Sequence, residues 1–440
     1  MTGSGKTSAA IKYMRQHDEH YIYITPYVSE YKRIIEQCPE RNFQTPAEEP
    51  SKLANTLPLL RQHCNIASTH ALFASYTPEI VALIKAGGYT MIMDEAFQVI
   101  DTMEATSQDV KDLLRRNMIA IEPDTYIVRW LDDAYDGTSF QDLMLRAKSG
   151  TLLYYHDTFL FWMFPIEVFN AFENVIVMTY MFSAQNQRYY FEMNNVEYDY
   201  IGIRKLGPLD YEFCHVEDET PYILDLQNKI HIFDNAKLNS IGTPLLKDPK
   251  RMRIDTSLSA QKLKAKKRDP NYYDLIGKNI YNYFHNYCHA TAGSTMWSIL
   301  SDYKPANKKK RDGQREKSCH VDTRRYDDDY IECTARATNQ YSDRKYLAYV
   351  RNIFMNPFLS MYYRDHGCTI NEEEYAVAEL IQWVWRSAIR NGEDIYIYLP
   401  SARMRILFQE WIDKVSCGEE VRDRRPYTIS MKGNDSDVNQ

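Results

Sequence analysis

No stretch of the chain approaches the ~20 consecutive apolar residues that a helix needs to cross a bilayer. The opening Met1-Thr2-Gly3-Ser4-Gly5-Lys6 has no apolar signal core either. The sequence is therefore expected to stay out of membranes. Paired cysteines are missing too. The 8 cysteines are scattered and none forms a Cys-x-x-Cys, so they read as reduced thiols of a cytoplasmic protein. Positive charge is not in excess: the formal net charge is −7. Proteins that coat nucleic acid non-specifically are usually basic overall, so any nucleic-acid contact must come from a local groove. No internal repeat is visible at the level of sequence motifs.

What is present is enough apolar material for more than one core. Hydrophobic residues make up 44% of the 440 residues, a length that suits two or three domains. The 35 tyrosines could stack on bases, but they read mainly as core and interface residues.

The first hundred residues alternate strand-like and helix-like segments. A loop from Thr2 to Thr7 leads into a helix over Ser8 to Gln16, and Tyr21 to Thr25 is a β-rich run. A helix over Ser29 to Gln37 follows, then short buried strands at Cys64 to Thr69 and Thr90 to Met93. This alternation predicts a parallel sheet with crossover helices. Residues from about 105 to 170, with the aromatic run Leu152 to Phe164, read as an insertion before the buried strand Asn174 to Met178. A second unit is expected from about 205 to 416. It has helices at Tyr272 to Tyr287, Glu373 to Arg390 and Ser401 to Val415, and strands at Tyr330 to Cys333 and Ile395 to Leu399. The stretch from 417 to 440 is charged and aperiodic and reads as a mobile tail.

Gly3-Ser4-Gly5-Lys6-Thr7 has the chemistry of a phosphate-binding loop. Small residues let backbone N–H groups turn inward around phosphates, Lys6 would reach the β- and γ-phosphates, and Thr7 would offer its hydroxyl to Mg²⁺. The following helix points its positive end at the anion. The full pattern, Gly-x-x-x-x-Gly-Lys-[Ser/Thr], needs a glycine immediately before Met1 and a strand before that. The expectation is that Met1 is an internal methionine of a longer protein. The sheet would then lack its first strand and leave its neighbours with unpaired edges.

Met91-Ile92-Met93-Asp94-Glu95-Ala96 is an apolar strand ending in two carboxylates. Hydrolysis of a phosphoanhydride needs such a pair, one carboxylate to hold hydrated Mg²⁺ and one to orient the attacking water. Asp94 takes the first role and Glu95 the second.

At these residues the chain resembles a superfamily 2 helicase of the DEAD/DEAH-like type. Gly3 to Thr7 resembles motif I without its first glycine, and Asp94-Glu95-Ala96-Phe97 resembles motif II. Thr25-Pro26 is similar to motif Ia and Ser68-Thr69-His70 to the threonine-bearing segment before motif II; Thr179 sits where motif III would be, without its usual Ser-Ala-Thr. Cys333-Thr334-Ala335-Arg336-Ala337-Thr338-Asn339 resembles motif V, and Gln382 to Arg390 resembles motif VI.

The resemblance implies two RecA-like α/β domains with ATP between them and movement along nucleic acid. DNA is preferred over RNA as the partner. Thr25, Pro26, Thr69, Thr338 and Asn339 would touch the nucleic acid. Gln382, Arg386 and Arg390 would act in catalysis, the two arginines lying on one face of a helix as candidates for the arginine that reaches the γ-phosphate. A chain of this kind fits a bacteriophage or mobile element, which would place it in the host cytoplasm. Two other classes are a packaging-type motor ATPase and a non-catalytic nucleic-acid-binding remnant.

Two further signals are weaker. His285, Cys288, His289, Cys319 and His320 fit no standard zinc spacing. The basic run Lys308 to Lys317 reads as a solvated loop.

Overall fold

The structure is a computed structural model that describes residues 5–103, 105–220, 225–241, 245–305, 319–333, 340–417 and 428–432. The chain forms two α/β units. The first comprises Gly5–Thr220 and Asn356–Ile370 together with the strand Thr428–Lys432; the second comprises the described residues of 225–355 and 371–417.

The first unit opens on helix α1 (Lys6–Gln16), followed by β1 (His20–Thr25), helix α2 (Val28–Gln37), β2 (Ile66–Thr69) and β3 (Tyr89–Asp94). Strands β1 and β3 are buried on both faces, as in a parallel sheet covered by helices. Their residues Tyr21 to Ile24 and Met91 to Met93 are fully buried. The segment after β3 carries β4 (Ile100–Thr102), β5 (Ile119–Ile121), β6 (Val128–Trp130), β7 (Leu152–Tyr155) and β8 (Phe159–Met163). These form a three-stranded sheet in the order β4-β8-β7 and a β5–β6 hairpin. They enclose a small core of their own around Val110, Leu113, Trp130, Leu152 and Leu160. Trp162 lies under the Arg146 guanidinium within this segment.

The chain then returns to the main sheet with β9 (Asn174–Met178), β10 (Asp199–Lys205) and β11 (Tyr211–Cys214). The second unit contributes β12 (Ile230–Phe233), β13 (Thr295–Ser298), β14 (Tyr346–Tyr349) and β15 (Ile395–Tyr398), and β16 (Thr428–Lys432) ends the series.

The main sheet has seven strands in the order β11-β10-β16-β9-β3-β1-β2. Strands β2, β1, β3 and β9 run parallel, with Ile24 opposite Met93 and Asp94 opposite Met178. β16 runs against its neighbours on both sides, pairing Thr428 with Met178 on β9 and with Ile201 on β10. The gap expected in this sheet is therefore filled, and by residues read from sequence as part of a mobile tail. The physical reason is that β9 and β10 each turn a row of backbone N–H and C=O groups towards the same slot. Leaving two such edges unpaired inside a sheet is unfavourable, and an extended segment satisfies both. The first unit also extends past 205 through β11 and recovers Asn356–Ile370. In that return segment Asp365 accepts a hydrogen bond from the Tyr155 hydroxyl at 2.7 Å.

The second unit holds a four-stranded, wholly parallel sheet in the order β12-β15-β14-β13. The strand expected at Tyr330 to Cys333 is reduced to one bridge between Tyr330 and Trp297. The strands used instead, β13 and β14, have only four residues each and are mostly buried. Runs that short carry no readable periodicity.

The helix expected through Arg390 spans Glu372–Val384. It stops because the Ser387 hydroxyl bonds the Val384 carbonyl at 2.6 Å, with Ser387 itself extended. Many tyrosines of both units are core residues. Their hydroxyls are anchored on backbone carbonyls, as with Tyr190 on Phe164, Tyr273 on Leu263 and Tyr326 on Ala290.

Candidate nucleotide-binding site

The parallel strands of the first sheet deliver several of the expected residues to one edge. Thr25 ends β1 directly opposite Thr69, which ends β2, and Asp94 ends β3 beside Met178 and Thr179. The carboxyl edge of a parallel sheet is where α/β proteins bind ligands.

Helix α1 starts at this edge. Gly5 caps it with φ 85°, in the left-handed region where glycine alone is unstrained, and a Cβ there would run into the Tyr211 ring. Gly3 and Ser4 lie outside the described residues. Thr7 is half-buried in the first turn of α1. Lys6 is only 7% exposed, and its Nζ has no hydrogen-bond partner among the described residues. A buried ammonium group without a partner is strongly disfavoured. An anion would satisfy it.

Asp94 sits close enough to Lys6 to feel its charge. Desolvation pushes the Asp94 carboxyl up to about 7, the neighbouring Glu95 adds to the rise, and Lys6 opposes it. The buried Tyr23 hydroxyl is also nearby, and burial together with Asp94 raises it well above the ordinary tyrosine range. His70 Nε2 lies 3.1 Å from the Asp94 carbonyl oxygen, tying the segment after β2 to the acidic turn.

Glu95 adopts φ 65°, an uncommon conformation for a residue with a side chain. Its N–H is held by the Met178 carbonyl at 3.0 Å, and the Thr179 hydroxyl donates to its carboxylate at 3.4 Å. The bent backbone thus turns Glu95 out of the strand direction and beside Thr179. Backbone strain of this kind, held by surrounding bonds, clusters at functional sites.

The turn is braced from behind. The fully buried Gln187 carboxamide accepts the Phe97 N–H at 2.9 Å, and Phe97 packs edge-on against Phe73 and Phe164. Gln187 and Tyr23 escaped the sequence reading, since a lone glutamine or a strand tyrosine has no spacing to mark it. Thr25 is fully buried and Pro26 half-buried. The Thr25 side chain is thus closed off from a nucleic-acid backbone as the unit stands, whereas Thr69 is half-buried and caps the helix that follows it.

A bound nucleotide with Mg²⁺ fits this donor set. Lys6 has the unmet charge for phosphate, and Thr7 and Asp94 are the oxygens for a hydrated Mg²⁺, an ion that keeps most of its waters. The remaining expected residues stand elsewhere. In the second unit, Gln382 is half-buried on the helix Glu372–Val384. Arg386 and Arg390 do not share that helix: Arg386 is buried in the turn beyond it, and Arg390 is half-buried in the 3-10 turn Ala388–Asn391.

Thr338, Asn339 and Lys308 to Lys317 lie outside the described residues. Of the residues considered for zinc, His285 Nδ1 meets Arg325 at 2.8 Å and His320 Nδ1 meets the Lys304 carbonyl at 2.8 Å. No group of three or more His, Cys, Asp or Glu is placed to hold a metal among the described residues. No helix of the described residues is long and apolar enough to cross a membrane.

Residues 224–412 match the YonV C-terminal Rossmann-like domain, and residues 100–162 match the YonV middle domain. The SPbeta prophage-derived protein YonV of Bacillus subtilis (strain 168) is 34% identical over 425 residues, covering 93% of this chain and 97% of that protein. Among solved structures, an XPD helicase aligns over 94% of this chain and 93% of its own, with 10% identity and a TM-score of 0.42. With a third of its residues shared across nearly the whole of that prophage-derived protein, the chain belongs to the YonV family.

Proposed function

We propose that this protein is an ATP hydrolase of the helicase or translocase kind, resembling superfamily 2, which couples ATP turnover to movement on nucleic acid. The observation that carries the reading is the buried Lys6 amine, without a hydrogen-bond partner among the described residues, close to Asp94 on the carboxyl edge of a parallel sheet.

In this reading Lys6 and the amides of the loop around Gly5 bind the phosphates. Thr7 and Asp94 hold hydrated Mg²⁺, which when bound neutralises charge on the phosphates. Glu95, oriented by Thr179, positions the attacking water and takes its proton. Thr69 is a candidate for the nucleic-acid backbone. Gln382, Arg386 and Arg390 retain their proposed catalytic roles, and Arg390, the less buried of the two arginines, is the better candidate for a contact to phosphate. DNA is the preferred partner, a bacteriophage origin is in keeping with the prophage-derived relative, and the host cytoplasm would be its place of action.

The test is release of inorganic phosphate from Mg²⁺-ATP, with and without single-stranded DNA or RNA. Turnover stimulated by nucleic acid and abolished by Lys6→Ala is expected. Absence of nucleotide binding by the wild-type chain would overturn the reading.

A further inference from the structure

Beside α1 the first unit holds a cleft of about 660 Å³, lined among others by Ser8, Lys12, Arg15, Gln37, Asp210 and Tyr211. This volume is within the ~300–1,000 Å³ range of small-molecule sites. Ser8, Lys12 and Arg15 are spaced i, i+4, i+7, so one face of α1 forms a wall. From Ser8 to Arg15 that wall runs roughly 10 Å at the helical rise. The cleft begins where the phosphate loop ends, because the Tyr211 ring stands against Gly5 and Ser8 follows Thr7 directly.

The two cations along the wall are already matched within the protein, and Glu36 adds a carboxylate to the lining. Lys12 is paired with Asp210 at 2.8 Å and with Glu212 at 3.5 Å. Arg15 pairs with Glu40 and donates to the Gln37 carbonyl at 2.6 Å. A second phosphate site would present unmatched cations, as Lys6 does. What this wall offers is the Tyr211 ring, which the Lys205 amine approaches at 5.9 Å, the Ser8 hydroxyl, and the N–H groups of the Gln37 carboxamide, whose oxygen accepts from Arg33 at 3.3 Å. Those groups suit a flat, uncharged heterocycle with polar edges.

We propose that this cleft seats the nucleoside half of the bound nucleotide, with the Tyr211 ring stacking on the base. The inference rests on the nucleotide reading above and extends it: Tyr211, on the β10–β11 hairpin, makes binding depend on a base rather than on phosphate alone. Base–aromatic stacking tolerates any base, so discrimination among purines would fall to the polar groups.

The experiment is calorimetric titration with ATP and with inorganic triphosphate, each with Mg²⁺, using the full chain. The wild type is expected to bind ATP about tenfold more tightly than triphosphate, the scale of one stacked base. Tyr211→Ala should remove that advantage while leaving triphosphate affinity within about twofold, and Tyr211→Phe should retain it. Gln37→Ala should cause a smaller selective loss for ATP, about threefold, and it tests the cleft should Tyr211→Ala fail to fold. Equal wild-type affinity for ATP and triphosphate overturns the cleft and leaves the phosphate site standing. So does Tyr211→Ala weakening both ligands alike, which would make the ring a mere prop for Gly5. A wild type that binds neither ligand overturns both proposals.

Discussion

The two sheets treat buried charge in opposite ways. In the second unit four buried ionic groups, Asp327, Asp329, Arg403 and Arg405, are held by the fold. Asp329 accepts from the Gly293 N–H and the Thr295 hydroxyl and pairs with Arg344. Asp327 accepts from the Thr323 N–H and hydroxyl. Arg403 donates to the Ile353 and Glu372 carbonyls, and Arg405 to those of Leu399 and Pro400. In the first unit Lys6 is just as buried and its amine has no hydrogen-bond partner among the described residues. A satisfied buried charge specifies structure. An unsatisfied one near the Asp94 carboxyl is, in the proposed reading, the place of a ligand, at some expense of stability.

The contrast can be broken experimentally, and the largest effect should be catalytic. Glu95→Gln removes only the carboxylate that orients water, so ATP should still bind while turnover falls by about a hundredfold or more. Undiminished phosphate release in this variant would remove Glu95 from the chemistry. Next in size is loss of β16. The second sheet draws its strands from one stretch of chain, whereas the first borrows β16 from its far end. Deleting residues 418–440 should expose the facing edges of β9 and β10. Light scattering is expected to show concentration-dependent aggregation, and a monodisperse product of unchanged melting temperature would mean that β16 is dispensable.

Opposite signs are expected for two cations. Arg403→Ala strips the buried Ile353 carbonyl and the half-buried Glu372 carbonyl of a donor and should destabilise by about 2–3 kcal/mol in denaturant unfolding. Lys6→Met removes an amine that lacks a hydrogen bond and should leave the ligand-free protein as stable as before or up to about 1 kcal/mol more so. Equal destabilisation by both would erase the distinction between the sheets.

A further effect is on pH dependence. Burial holds the Asp94 carboxyl near 7, above its ordinary value. The folded state therefore keeps this proton after the unfolded chain has released its own. The stability contributed by Asp94 is full below the unfolded value of about 4 and is lost as pH rises through about 7. Asp94→Asn should flatten that part of the Mg²⁺-free stability profile between pH 4 and 7 and leave the rest unchanged. Identical profiles for variant and wild type would deny Asp94 the raised value.

Much of the first edge was legible because its signals are local. A glycine before an apolar-faced run marks the start of α1, and an apolar strand ending in Asp94-Glu95 declares its own direction. Thr25 and Thr69 were legible as strand ends, though not as buried and half-buried respectively, since burial depends on what packs above them. The arginines show the limit of periodicity. Spacing four apart implies a shared helix face only if the helix continues, and here a hydrogen bond from Ser387 ends it at Val384. Strands β13 and β14 were too short to leave a pattern.

The sequence by itself determined the class of the fold and the strands that end in Thr25, Thr69 and Asp94. These follow from which residues are apolar, small or charged within a few positions of one another. Tertiary structure alone decided the rest: that β16 closes the first sheet, that Asn356–Ile370 returns to the first unit, that Tyr211 faces Gly5 and that Gln187 braces the acidic turn. Each of these joins residues about ninety or more positions apart. Such contacts form because an unpaired edge, an open cavity or a buried polar group must be satisfied by whatever segment the fold brings near, and no local pattern records which segment that will be.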